Sequence, residues 1–264
     1  MATLTKFPFQ SKILRDPTSP YQSIYEDSAT QNFLLGTKLE LADGRVFRYA
    51  KNGAVALARS LMTQGADITA VPFLKYLPIT QTGYAHALGD SGALTVLVTT
   101  GSLATGVENS LSGGRLNVTT GTNLGESYSI LASKHVDETH VQVILDAPLR
   151  NAIAATDKVG LAPSKWYGTL VVPATTATAA PAGVPLVDAR IAYYFWAQTK
   201  GQCVMTVDTG DALVKGGFAG IPSTNAVAGT AGNATSTAYA FPVYGVVLSI
   251  GAADEGALID LTLE

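Results

Sequence analysis

The chain has 264 residues, a formal net charge of −3 and only 14% charged residues, against a usual share of about a quarter. With no Lys or Arg cluster it lacks a phosphate-tracking stripe, which argues against nucleic acid as a partner and equally against an anionic membrane surface. Its one cysteine, Cys203, excludes an intrachain disulfide and a cysteine zinc site, so stability must come from packing or assembly, and no cofactor is expected.

Residues 1–35 are rich in Pro, Ser, Gln and aromatics, including Phe7-Pro8-Phe9, Pro20-Tyr21 and Tyr25, with neither helical nor alternating periodicity. They read as an extended N-terminal arm, ordered where a neighbour supplies a groove; the competing reading is a tail without a role. Thr3, Thr5 and Lys6 interrupt the apolar stretch a signal peptide needs. No later run nears about 18 apolar residues, so a cytoplasmically made protein is expected.

Residues 38–49 form two alternating runs around Asp43-Gly44, a hairpin signal. A three-residue Asp43-Gly44-Arg45 connection pairs Leu41 with Phe47, Leu39 with Tyr49 and Glu40 with Arg48, keeping the apolar side chains on one face. Residues 54–64, rich in Ala, Leu, Arg and Met, are the one plausible helix, although periodicity does not separate it from a strand pair. From 94 to 161 the pattern is β throughout: Leu94/Val96/Val98, Leu116/Val118, Tyr128/Ile130 and Val141/Val143/Leu145 alternate with polar residues between Gly-rich turns. An Ala/Thr/Pro-rich stretch at 173–185 reads as a surface loop. The run Tyr193-Tyr194-Phe195-Trp196 needs cover on both faces and reads as a core strand. Two further strands follow at 243–250 and 258–264, around a turn near Asp254-Glu255-Gly256.

The expected fold is therefore all-β: a barrel or sandwich domain (36–85 with 166–264), an inserted β-sandwich-like domain (86–165) and the arm (1–35). No catalytic residue, cofactor site or metal site is assigned. Gly89-Asp90-Ser91-Gly92 resembles the nucleophile string of chymotrypsin-like proteases, but His86 is too close in sequence to serve as the base, so a turn is expected. Val207-Asp208-Thr209-Gly210 resembles the aspartic-protease signature, yet a single copy would need a homodimer to share a proton, and the string is also an ordinary turn. His135 and His140 flank Asp137 and Glu138 at a spacing that suits a polar hairpin turn better than a metal site.

The strings Leu35-Gly36-Thr37-Lys38-Leu39, Asp43-Gly44-Arg45-Val46-Phe47-Arg48-Tyr49, Gly113-Gly114-Arg115-Leu116 and Tyr194-Phe195-Trp196-Ala197-Gln198-Thr199-Lys200-Gly201 resemble virion proteins of tailed bacteriophages, especially aquatic and cyanobacterial ones. The resemblance spans most of residues 33–264 and carries no catalytic letters. It implies a non-enzymatic capsid cement or decoration protein on the outer surface of the virion, assembled in the host cytoplasm. The implied partners are the major capsid protein and further copies of itself, with a homotrimer the first expectation and a dimer the second. On this reading Phe7, Phe9, Tyr21 and Tyr25 anchor the arm on neighbouring subunits, and deleting residues 1–30 leaves a folded protein that binds shells weakly. The alternatives are a tail or baseplate component, a carbohydrate-binding module using Trp166-Tyr167 and Trp196, and a homodimeric aspartic protease.

Overall fold

A computed structural model describes residues 22–65, 77–78, 91–99, 109–137, 140–153, 157–174, 177–208, 212–222, 227–234, 242–251 and 255–264. Every regular element among them is a strand. The chain divides into two compact units, residues 1–66 with 168–264 and residues 67–167. The first unit contains β1 (Lys38–Glu40), β2 (Val46–Lys51) and β3 (Thr63–Gln64). The second contains β4 (Leu77–Pro78), β5 (Thr95–Thr99), β6 (Arg115–Val118), β7 (Ser127–Asp137), β8 (His140–Leu145) and β9 (Lys158–Ala162). The chain then returns to the first unit with β10 (Leu170–Val171), β11 (Pro181–Pro185), β12 (Tyr194–Thr206), β13 (Phe218–Gly220), β14 (Gly232–Asn233), β15 (Val243–Ser249) and β16 (Gly256–Thr262).

In the first unit the sheet is built on β12, which pairs antiparallel with β2, β11 and β16; β15, β13 and β14 extend it beyond β16. Cys203 and Met205 face Ile259 and Ala257 across the β12–β16 ladder, and all four are buried. A bulge between Gln198 and Lys200 bends β12. The Gln198 amide holds the bend by donating to the carbonyls of Lys200, Gly201 and Gln202. Gly183, at φ +137°, lets β11 approach so closely that a Cβ there would meet the Gln198 carbonyl at 2.7 Å.

The β1–β2 hairpin forms around Asp43-Gly44, but in a different register: Leu39 faces Phe47 and Glu40 faces Val46. Its three-residue loop is Ala42-Asp43-Gly44, closed by Leu41 N–H donating to Arg45 O at 2.9 Å, with Gly44 at φ +84°. The shift is two residues, so every side chain keeps its expected face. No helix forms over 54–64. Instead Leu57 bridges Ala189, Ser60 takes φ 64° and Thr63–Gln64 is a strand. About 11 residues of good helix formers cannot sustain a helix alone, whereas burying Leu57 and Met62 draws this segment into extended contacts.

The second unit is a six-stranded antiparallel sheet in the order β4-β9-β6-β7-β8-β5. Direct partners share a face, and the registers Leu116↔Leu161, Leu116↔Tyr128, Val96↔Val143 and Val98↔Val141 place these residues in one core. Each such side chain contributes about 1.5–3 kcal/mol by leaving water. Leu94 precedes β5 and is exposed. Because β4 pairs with β9, residues 77–78 lie in this unit, whereas the sequence pattern placed 36–85 with 166–264.

Candidate partner-binding surface

Of the proposed arm anchors, Phe7, Phe9 and Tyr21 lie outside the described residues. Tyr25 is 64% exposed beside Arg45. The segment 22–35 runs through a turn at 24–25 and bends at 29–30 and 33 rather than as an extended strand, and it is fastened to the first unit. Gln22 is the fastening point. Its side-chain oxygen accepts from Tyr49 OH at 2.6 Å and Asn32 Nδ2 at 3.1 Å, its amide donates to Tyr194 O at 2.9 Å, and its backbone carbonyl accepts from Trp196 Nε1 at 3.1 Å. Around it, Phe33 meets Tyr49 edge-on and lies tilted against Trp196, both with centroids 5.2 Å apart, while Tyr49 stacks on Tyr194. Burial pushes the Tyr49 phenol up to about 12, so it remains a neutral donor.

Farther along the segment, Asp27 takes a two-point grip on Arg190, whose guanidinium lies 4.0 Å from the Tyr193 ring. The Arg190 hydrogen bonds hold the Asp27 carboxyl below its ordinary range. Tyr25 and Leu34, 64% and 49% exposed, remain on the outside of this strap.

A second surface lies on the outer face of the sheet. The register aligns Gln202, Asp260, Val246 and Phe218 across β12, β16, β15 and β13, and Val204 with Leu258 in the next row. The inner residues Cys203, Ile259 and Val247 are buried, so the first set must face outward. An antiparallel sheet with one solvated face normally alternates apolar and polar residues. Here Phe218 is 58% and Val204 52% exposed, with Leu258 and Val246 half-buried between them. Only Asp260 in these two rows carries a charge. Such a face is suited to excluding water against another surface.

The motifs with possible chemistry are occupied structurally. Asp208 is buried, and its carboxylate accepts from Val227 N at 2.7 Å and Thr230 Oγ at 3.2 Å, clamping the turn before Ala231; Thr209 and Gly210 lie outside the described residues. Ser91 Oγ donates to Arg150 O, within a turn opened by Gly92 at φ +89°; Gly89 and Asp90 are outside the described residues. His135 is not in a turn: β7 continues through it, pairing it with Val141, while His140 pairs with Asp137 and Thr99. No group of three or more His, Cys, Asp or Glu that could hold a metal occurs among the described residues. Trp196 is fully buried and offers no stacking face to a sugar, and Trp166 is half-buried with Lys165 Nζ 4.6 Å from its ring. No helix among the described residues is long and apolar enough to cross a membrane.

The strap was legible in the sequence only as an aromatic-rich stretch; Gln22, which organises it, carries no motif. The outer stripe was hidden because alternation reveals that two faces exist, not that Val204, Leu258, Val246 and Phe218 become neighbours on the outer one. Comparison with protein-family models, curated proteins and solved structures finds no match.

Proposed function

We propose that this protein is a non-enzymatic virion component that binds the outer surface of a bacteriophage capsid, cementing neighbouring copies of the major capsid protein, with no cofactor, nucleic acid or membrane as partner. The observation that carries the reading is the apolar stripe of Val204, Leu258, Val246 and Phe218 on the outer face of β12–β16–β15–β13. A protein whose work is to cover another surface gains from such a face, since each large apolar side chain taken out of water contributes about 1.5–3 kcal/mol. The phage-virion resemblance of the sequence supports a shell as the surface covered. Weak contacts suffice there, because a lattice of identical sites multiplies them.

The strap alters how the arm is to be tested. Removing residues 1–30 would strip Gln22, Ile24 and Asp27 from the first unit, so a truncation that probes the arm alone must stop at residue 21.

The deciding experiment mixes purified protein with undecorated heads of the parent phage, sediments them and counts bound copies. Saturation on the order of hundreds per head is expected, with binding weakened by Val204→Lys together with Phe218→Lys and by removal of residues 1–21. Protein recovered only with isolated tails would overturn the capsid reading in favour of a tail component.

A further inference from the structure

The sequence contains one Asn-Gly pair, Asn52-Gly53, at the end of β2. Asn-Gly is the dipeptide most prone to deamidation, because glycine has no side chain to hinder attack by its own amide nitrogen on the asparagine side chain. We propose that Asn52 is a latent deamidation site, shut by the fold and opened by unfolding, whose conversion prevents return to the native state.

The folded protein closes each route into the reaction. Asn52 is 1% exposed, so the water that must complete the reaction is kept out. Its amide nitrogen is pinned between two carbonyls, Ala189 O at 3.0 Å and Arg190 O at 2.9 Å. The Gly53 nitrogen, the attacking atom, donates its proton to Thr169 O at 2.9 Å. A Cβ on residue 53 would lie 2.9 Å from the Leu170 side chain and 3.0 Å from the carbonyls of Gly168 and Thr169, so a larger residue would crowd these neighbours. Ala189 O and Arg190 O also accept the backbone N–H of Leu57 and of Tyr193, so the Asn52 amide is a second donor to each.

In an unfolded chain the deprotonated Gly53 nitrogen attacks Asn52 Cγ. The new C–N bond closes a five-membered succinimide, the Cγ–Nδ2 bond breaks and the nitrogen leaves as ammonia. Water then opens the ring at either carbonyl, leaving aspartate or isoaspartate at position 52; the balance is amide plus water to acid plus ammonia. The aspartate product would set an acceptor against the Ala189 and Arg190 carbonyls in a buried place, where an unpaired charge is strongly disfavoured. The isoaspartate product adds a backbone methylene next to the Asn52–Thr169 bridge and destroys its register.

The test incubates wild-type protein at mildly alkaline pH, native in buffer and unfolded in urea for equal times, and maps the peptide containing residue 52 by mass. Conversion in urea at least roughly a hundredfold faster than in the native state is expected, since native conversion waits on rare opening. After transfer to buffer, the converted fraction should remain unfolded while unconverted chains refold. Native and unfolded rates within a few-fold of one another, no conversion in urea, or converted chains that refold with the wild-type yield would each overturn the proposal. Because the readout uses the wild-type chain, it does not depend on a variant folding.

Discussion

At the scale of single residues, Gln22 and Glu264 show two ways in which a polar side chain fixes a segment to the first unit. Gln22 is buried, so truncating its side chain leaves Tyr49 OH and Tyr194 O facing a gap rather than water, while Trp196 Nε1 keeps the backbone carbonyl of residue 22. Gln22→Ala is expected to cost about 2 kcal/mol, read as a lower urea midpoint, and to admit proteases before residue 36. An unchanged midpoint would mean that the strap is held by its rings alone. Glu264 accepts from Arg48 at 2.6 Å and from Thr199 Oγ at 2.9 Å. Partial burial pushes its carboxyl up, but the Arg48 and Thr199 hydrogen bonds outweigh it and hold the group below the ordinary value of 4.5. The folded state therefore binds that proton more weakly than the unfolded state, so the contribution is complete above pH 4.5 and is lost as pH falls through the lower folded value. Wild type should be more stable than Glu264→Gln at neutral pH by about 1 kcal/mol or less, as for a pair still in reach of solvent, read as a higher melting temperature. The gap should close in acid, and a gap that persists there would exclude the ion pair as its source.

Two glycines separate conformational from steric control at the scale of the element. Gly44 sits at φ +84° with open space around it, so Gly44→Ala meets only the left-handed backbone penalty, about 1 kcal/mol, and Gly44→Asn should recover part of it. Gly245 lies where a Cβ would collide with the Asp260 carbonyl on the neighbouring strand, so Gly245→Ala must push β15 away from β16 and should cost roughly 2–3 kcal/mol. Equal melting temperatures for the two alanine variants would contradict this division. The same local physics explains what the sequence made legible. Asp43-Gly44 announced the hairpin, but its register depended on which three residues turn, which composition does not state. The alternation at Val96, Leu116, Ile130 and Val143 was readable because their strands bury one face each. Residues 54–64 misled because helix propensity is a weak preference, and the partners that overrode it, at Ala189 and Gly229, are distant in sequence. Gln22 and the Val204–Phe218 face left no trace, since both depend on which strands become neighbours.

For the whole molecule, the telling feature is where the second unit interrupts the first. Thr63 and Gln64 pair with Val171 and Leu170, so β3 and β10, which flank the second unit in the sequence, are hydrogen-bonded neighbours. The first unit therefore already contains both arms of a hairpin at the point of insertion. Replacing residues 67–167 with a short Gly-containing turn is expected to leave a folded first unit. Its only tryptophan would be Trp196, and its fluorescence should stay blue-shifted as befits a buried indole. Emission like that of tryptophan in water would show that the first unit needs its guest in order to fold.

The nesting also sets an order of events during synthesis. The guest leaves the ribosome entire while its host still lacks every strand from β10 onward, and β2 must wait for β12, which is encoded far downstream. Once the guest has folded, β4 is paired with β9, so the host closes roughly twenty flexible residues instead of roughly a hundred, which lowers the entropic barrier by about 1 kcal/mol. The inserted unit is thus expected to serve the nascent chain as a clasp that shortens the path from β3 to β10.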